Sequence, residues 1–301
     1  MHKFNKTISD RGAIGFALAG FTAWVFTDTF TKLVGESGLP AYEMVAFLGL
    51  FMSILMGLYG LVTGQLSRLR PHKLHLQIGR ACLDMGNNLC VVIALRHLTL
   101  TLFYILIFMA PTVTALLSTV FLREGLNWKR SLAISAGFAG VVLAVHPWNS
   151  DGASDWIGFG ACMVCVACFS TNMVWSRVLT RTETPESLAL FSGLVTAVAG
   201  FALMGFVHAA PLNLKLLGGL LAMALTCVMG VLCFYTAVKH TPAANVAQYH
   251  YTQLITGTIV TYLIWHQVPS LYVLMGGALI LGSGLYIALI AHDVAPLSEG
   301  H

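Results

Sequence analysis

Apolar runs of about twenty residues, the length a membrane-crossing helix needs, follow one another along most of the chain and are separated by short polar links. This pattern predicts ten spans, at Gly12–Leu33, Tyr42–Thr63, Leu74–Leu95, Leu100–Leu122, Lys129–His146, Trp156–Leu179, Ser187–His208, Leu216–Val238, Asn245–Trp265 and Ser270–Ala291. The clearest link is Pro147–Asp155, PWNSDGASD, which is rich in turn formers and leaves five spans on each side. The ~10-residue alternating segments of an outer-membrane barrel are absent. The fold class is therefore an all-α polytopic membrane protein, with units expected at residues 12–146 and 156–291.

Composition removes the soluble alternatives. Of 301 residues, 57% are hydrophobic and 9% are charged, with a mean hydropathy of +0.80, whereas a soluble domain carries about 25% charged residues. The formal charge of +4 is spread among links, and no basic run with interleaved aromatics suggests a nucleic-acid partner. Met1–Arg11 is polar and is followed by a run long enough to span, so no cleaved leader is expected. Lys and Arg set the orientation, because they are retained on the cytoplasmic side. Alternate links hold twelve of them (Lys3, Lys6, Arg11, Arg68, Arg70, Lys73, Arg123, Lys129, Arg130, Arg177, Arg181 and Lys239), against three (Lys32, Arg96 and Lys215) in the opposite set. Both termini are expected in the cytoplasm and Pro147–Asp155 outside.

Polar residues at lipid depth are costly and mark pathways. The first span carries Trp24, Thr27, Asp28 and Thr31 at helical spacing on one face. Asp28 there reads a substrate or a cation, or else pairs with Lys32 one turn away. The third span holds Asp84 one turn after Arg80, so the two can neutralise each other or Asp84 can couple transport to protons. Deeper lie Asn87 and Asn88, which must face other helices or a wet cavity. Tyr104 and the helix-disturbing Pro111 follow in the fourth span. The ninth span opens with NVAQYHYTQ, too many donors and acceptors for a lipid-facing surface. Asn172 and Trp175 in the sixth span and Tyr235 in the eighth are further candidates, while Trp148, Trp156 and Trp265 fit interfacial anchors.

The chain repeats itself without gaps. Gly15-Phe16 and Gly158-Phe159, Phe26-Thr27 and Phe169-Ser170, Leu89-Cys90 and Leu232-Cys233, Ala94 and Ala237, and Arg96-His97 and Lys239-His240 are all separated by 143 positions. An odd number of spans per half inverts the second half relative to the first. Inverted repeats place a substrate between the halves near mid-membrane, where rocking exposes it to each side in turn.

The run ALRHLTLTLFYILIFMAPTVTALLSTVFLREGLNWKRSLAISAGFAGVVLAVHP, with Ala94-Leu95 before the turn, Pro111, Glu124 and the Gly137/Gly140 helix, resembles the repeat of EamA-type ten-helix carriers in the drug/metabolite transporter superfamily. The second half keeps the pattern loosely, with Leu254 and Gln267 at the positions equivalent to Pro111 and Glu124. The resemblance implies transport and a cavity lined by the fourth and ninth helices, which adds Gln248, Tyr251 and, by the repeat, Phe108 to the site. Arg80 and the style of the turn resemble subgroups handling amino acids or amino-acid-derived metabolites, including S-adenosylmethionine-like and metallophore-like compounds. The family favours export, although related carriers take substrates up.

Seven cysteines all lie in apolar runs. Cys162, Cys165 and Cys168 form CxxCxxC, but on one continuous helix that spacing drifts around the surface, so small buried apolar side chains are expected and no metal or cofactor. No HExxH, GxSxG or phosphate-binding glycine loop occurs, which counts against an intramembrane enzyme, the rival class, and against direct ATP drive. The expectation is secondary active export of a small polar metabolite, an amino acid or a derivative, by a bacterial inner-membrane carrier, the alternative being an uptake carrier for an S-adenosylmethionine- or vitamin-like metabolite. Asp28 and Asp84 are the candidate proton carriers, and the expected partners are the substrate, the lipid bilayer, protons or a counter-substrate, and a second copy if the chain is a homo-oligomer.

The charge bias yields the first prediction. In a background with the native cysteines removed, Ser150→Cys reacts with an impermeant thiol reagent in intact cells; labelling only after permeabilisation overturns the topology.

Overall fold

The computed structural model describes residues 10–110, 113, 128–145, 155–180, 182–205, 213–240 and 249–293. Pro111, Glu124, Gln248 and all of the Pro147–Asp155 link except Asp155 lie outside the described residues. Among the described residues, every regular element is helical: α1 (Asp10–Gly35), α2 (Ala41–Val62), α3 (Leu74–His97), α4 (Leu100–Ile107), α5 (Trp128–Val145), α6 (Trp156–Leu179), α7 (Pro185–Met204), α8 (Leu214–His240), α9 (Thr252–Trp265) and α10 (Leu271–Asp293), with short 3-10 segments at Leu66–Leu69 and Tyr249–Tyr251. Six of them, α1, α2, α3, α6, α7 and α8, are individually long and apolar enough to cross a membrane. The third span, the most polar in sequence, is one continuous helix.

Side chains at the ends explain where helices begin. The Thr99 hydroxyl accepts from Leu102 N–H at 3.2 Å, the Asp155 carboxylate from Gly158 N–H at 3.2 Å, and the Thr184 hydroxyl from Ser187 N–H at 3.1 Å, with Pro185 opening α7. Each cap satisfies an N–H that has no partner within its helix. Two boundaries differ from the sequence expectation. The predicted fourth span is interrupted by a turn at Phe108-Met109, and the ninth begins its described part as a 3-10 turn before α9. These interruptions face each other: the Phe108 and Tyr251 rings meet with centroids 5.4 Å apart. Irregular backbone at this depth survives because protein surrounds it.

The helices pair across the two halves of the sequence, α1 on α8, α2 on α7, α3 on α6, and α5 on α10. Apolar burial gives little drive between helices in lipid, so close approach and dispersion decide these seams. On the α2–α7 seam, a Cβ at Gly49 would lie 2.3 Å from Ala197 N and 2.6 Å from Gly193 O, closer than atoms tolerate.

At the N-terminal end of α3 the halves are also tied by polar groups. Glu183, whose side chain has no exposed surface, accepts from His72 N–H at 3.0 Å and Lys73 N–H at 2.6 Å. Arg68 meets Glu186 at 3.0 Å, and the Gln77 amide donates to Ser187 at 2.9 Å. Burial works to raise the proton affinity of Glu183, but the two backbone N–H groups outweigh it and hold its pKa below the usual Glu value. A carboxylate with a lowered folded pKa adds stability above its unfolded pKa of about 4.3, and that stability fades as pH falls through the folded value. Glu183→Gln is therefore expected to cost about 2 kcal/mol at pH 7, with the gap to the unmodified protein narrowing below about pH 4. Thermal melts in detergent at both pH values measure it, and a pH-independent gap would refute the ionic latch.

Candidate functional site

A cavity of about 140 Å³ lies inside the bundle, walled by α1, α2, α3, α4, α6, α7, α8 and the start of α9. The structure brings Trp24, Asp28, Asp84, Asn87, Asn88, Tyr104, Asn172 and Tyr235 to this one space. They come from five helices.

Asp84 belongs to a network anchored by Arg80, which is fully buried. One guanidinium nitrogen of Arg80 donates to Asp84 at 2.7 Å and to the Tyr235 hydroxyl at 2.6 Å. The other donates to Leu188 O at 2.8 Å and Ser192 Oγ at 2.7 Å. Asp84 also accepts from Ser192 and from the Asn172 amide. The pairing at i and i+4 was legible in the sequence, but Ser192 and Leu188 were not, because they arrive on α7. With its charge balanced and its oxygens engaged, Asp84 functions as the anchor of α3, α6, α7 and α8.

Asp28 differs. Its carboxylate accepts from the Tyr104 hydroxyl at 2.8 Å, and the expected pairing with Lys32 is not formed. The Lys32 ammonium instead donates to Leu95 O at 2.9 Å and Leu98 O at 2.8 Å, closing the C-terminal end of α3. Both carbonyls sit at the C-terminal end of α3, where the last C=O groups lack partners within the helix and the helix dipole favours a cation. Tyr104 reaches Asp28 because α9 offers a notch: a Cβ at Gly257 would sit 2.3 Å from the Tyr104 ring.

Aromatic rings form the remaining wall. Trp24 lies 5.2 Å from Phe234 and 6.5 Å from Phe169, centroid to centroid. His250 is stacked on Phe21 at 4.9 Å and meets Phe169 at 5.4 Å. Below it the Gln253 amide donates to Phe21 O at 3.0 Å. Asn87 accepts from the Cys165 thiol at 3.0 Å. His250, Phe169, Phe234 and Ser192 were missed as site residues. His250 had a signal, an ionisable side chain within an apolar run; a lone Phe or Ser in such a run has none.

Three expected lining positions lie elsewhere. Phe108 and Tyr251 pack against each other within the hydrophobic core behind the wall. The ring of Trp175 covers Gly79 on α3. Among the described residues no group of three His, Cys, Asp or Glu side chains is arranged to hold a metal ion.

A bundle of membrane-crossing helices that encloses an amide- and aromatic-lined cavity has the build of a multi-pass transporter. The chain belongs to the EamA-like transporter family, whose profile matches residues 11–146 and again 156–289. It is 23% identical over 280 residues to an S-adenosylmethionine uptake transporter of Rickettsia bellii, covering 91% of this chain and 92% of that protein. It is 24% identical over 289 residues to a riboflavin transporter of Brucella anthropi, covering 90% of this chain and 96% of that one. A solved crystal structure shares the fold with a TM-score of 0.64 at 18% identity, over 93% of this chain and 99% of the other. The family and these relatives are transporters, which sets aside the intramembrane enzyme.

The notch at Gly257 generates a test. Gly257→Ala drives the Tyr104 ring out of place, and transport in reconstituted vesicles is expected to fall at least tenfold, with overpacking costing about 1–3 kcal/mol of stability. Unchanged transport would show that the position of Tyr104 is immaterial.

Proposed function

We propose that this chain is an uptake carrier of the bacterial inner membrane for a heteroaromatic, nucleoside-like metabolite, moved by alternating access of two inverted five-helix halves, residues 12–146 and 156–291. The observation that carries this reading is the cavity wall, to which both halves contribute flat aromatic rings and amide side chains. Stacking suits a planar ring system, and Asn87, Asn88 and Asn172 suit the hydroxyls and ring nitrogens attached to it. S-adenosylmethionine and riboflavin, named for two relatives, share that chemistry. Uptake, the alternative left open by the sequence, is preferred over export because the S-adenosylmethionine relatives are named for uptake.

The packing supports the inverted halves. Under the 143-residue offset α1 becomes α6 and α8 corresponds to α3, so the pair α1–α8 maps onto the pair α6–α3, and both pairs are packed. Phe108 and Tyr251, equivalent under the same offset, touch, as residues beside a two-fold axis must. Rocking about that contact would open the cavity to each side in turn. The charge bias supports cytoplasmic termini.

Purified protein in vesicles tests the proposal. Labelled S-adenosylmethionine or riboflavin should accumulate saturably, and the unlabelled compound should raise the melting temperature. Saturable efflux of plain amino acids, with neither compound bound or moved, would restore the export reading.

A further inference from the structure

The two carboxylates of the cavity are unequal, and the inequality specifies the cargo. Asp84 is neutralised by Arg80 at 2.7 Å and also held by Ser192 and Asn172. Asp28, which lines the same cavity, receives the Tyr104 hydroxyl at 2.8 Å, and among the described residues no lysine, arginine or histidine nitrogen stands within ion-pair distance of it. The cation nearest in sequence, Lys32, is bound to Leu95 O and Leu98 O and lies 5.8 Å over the Trp265 ring. The described cavity thus holds one carboxylate beyond its own positive charges.

That carboxylate stands beside aromatic rings. Trp24 lies one helical turn before Asp28 on the same helix, and both line the cavity. A ring face attracts cations by its quadrupole, and a neighbouring carboxylate adds charge where little water competes. An excess acid facing an indole is matched by a compact, weakly hydrated positive centre such as a sulfonium or an alkylated ammonium. Such a centre would neutralise Asp28 in the loaded carrier and leave the amides and remaining rings for the planar part of the same molecule.

We propose that Asp28 and Trp24 form a cation subsite, and that the natural cargo is a heteroaromatic metabolite carrying a positively charged centre that docks between them. The inference rests on the nucleoside-like reading of the cavity and narrows it to cationic members of that class; a neutral flavin is then a poor ligand.

Calorimetric binding to the purified full-length protein at pH 7 tests both levels separately. The probes are S-adenosylmethionine, which carries a sulfonium, and 5′-methylthioadenosine, which keeps the adenosine and the sulfur without any positive centre. The unmodified protein is expected to bind the first at least tenfold more tightly. Asp28→Asn should weaken S-adenosylmethionine at least tenfold while changing methylthioadenosine less than twofold, and Asp28→Glu should recover part of the difference. Equal losses for the two probes overturn the cation subsite and make Asp28 a structural residue, leaving the nucleoside reading intact. Failure of the unmodified protein to bind either probe overturns both. Should Asp28→Asn not fold, the ratio in the unmodified protein decides: a ratio near one overturns the subsite.

Discussion

An arginine without any exposed surface, within a helix that crosses the bilayer, is the constraint around which this bundle is built. Arg80 cannot give up its proton, and a buried guanidinium without partners would cost several kcal/mol. The fold therefore converges on it: Asp84 from its own helix, Tyr235 from α8, and Ser192 and a backbone carbonyl from α7. Removing one partner would leave a charge or a dipole stranded at low dielectric. The network thus holds the two halves of the chain in register across the cavity, where van der Waals contact alone discriminates weakly between arrangements.

With one ion pair committed to architecture, the other acid is left for chemistry. Asp28 lines the same cavity, hydrogen-bonded to the Tyr104 hydroxyl, and Tyr104 is seated by a glycine on α9. Three elements distant in sequence thus fix one carboxylate without neutralising it. The aromatic wall beside it supplies flat apolar surface, and the asparagines supply both donors and acceptors. The proposed recognition of a planar, positively charged molecule rests on this division of labour.

The seams between the halves suit motion as well as contact. The α2–α7 crossing is smooth because glycines remove the side chains that would interlock there. The polar ties sit at the ends, Glu183 on the backbone of α3 at one and Lys32 on the carbonyls of α3 at the other. Both engage the ends of α3.

The sequence by itself determined the membrane class, the all-helical fold and the Arg80–Asp84 pair, because hydrophobic run length and i, i+4 spacing are local properties of a helix. Polar residues at lipid depth also singled out Asp28, Asn87, Asn88, Tyr104, Asn172 and Tyr235, since burying such groups demands a shared interior. Only the tertiary structure decided what each one touches. Spacing allowed Lys32 to reach Asp28, but the unpaired carbonyls at the end of α3, sixty residues away, hold it instead. Phe108 and Tyr251 sit on helices that wall the cavity, yet they face each other behind it, because the rotation of a helix is set by its neighbours. Ser192, Phe169 and Phe234 carry no mark in an apolar run; they become part of a site only when packing brings α6, α7 and α8 against α1 and α3.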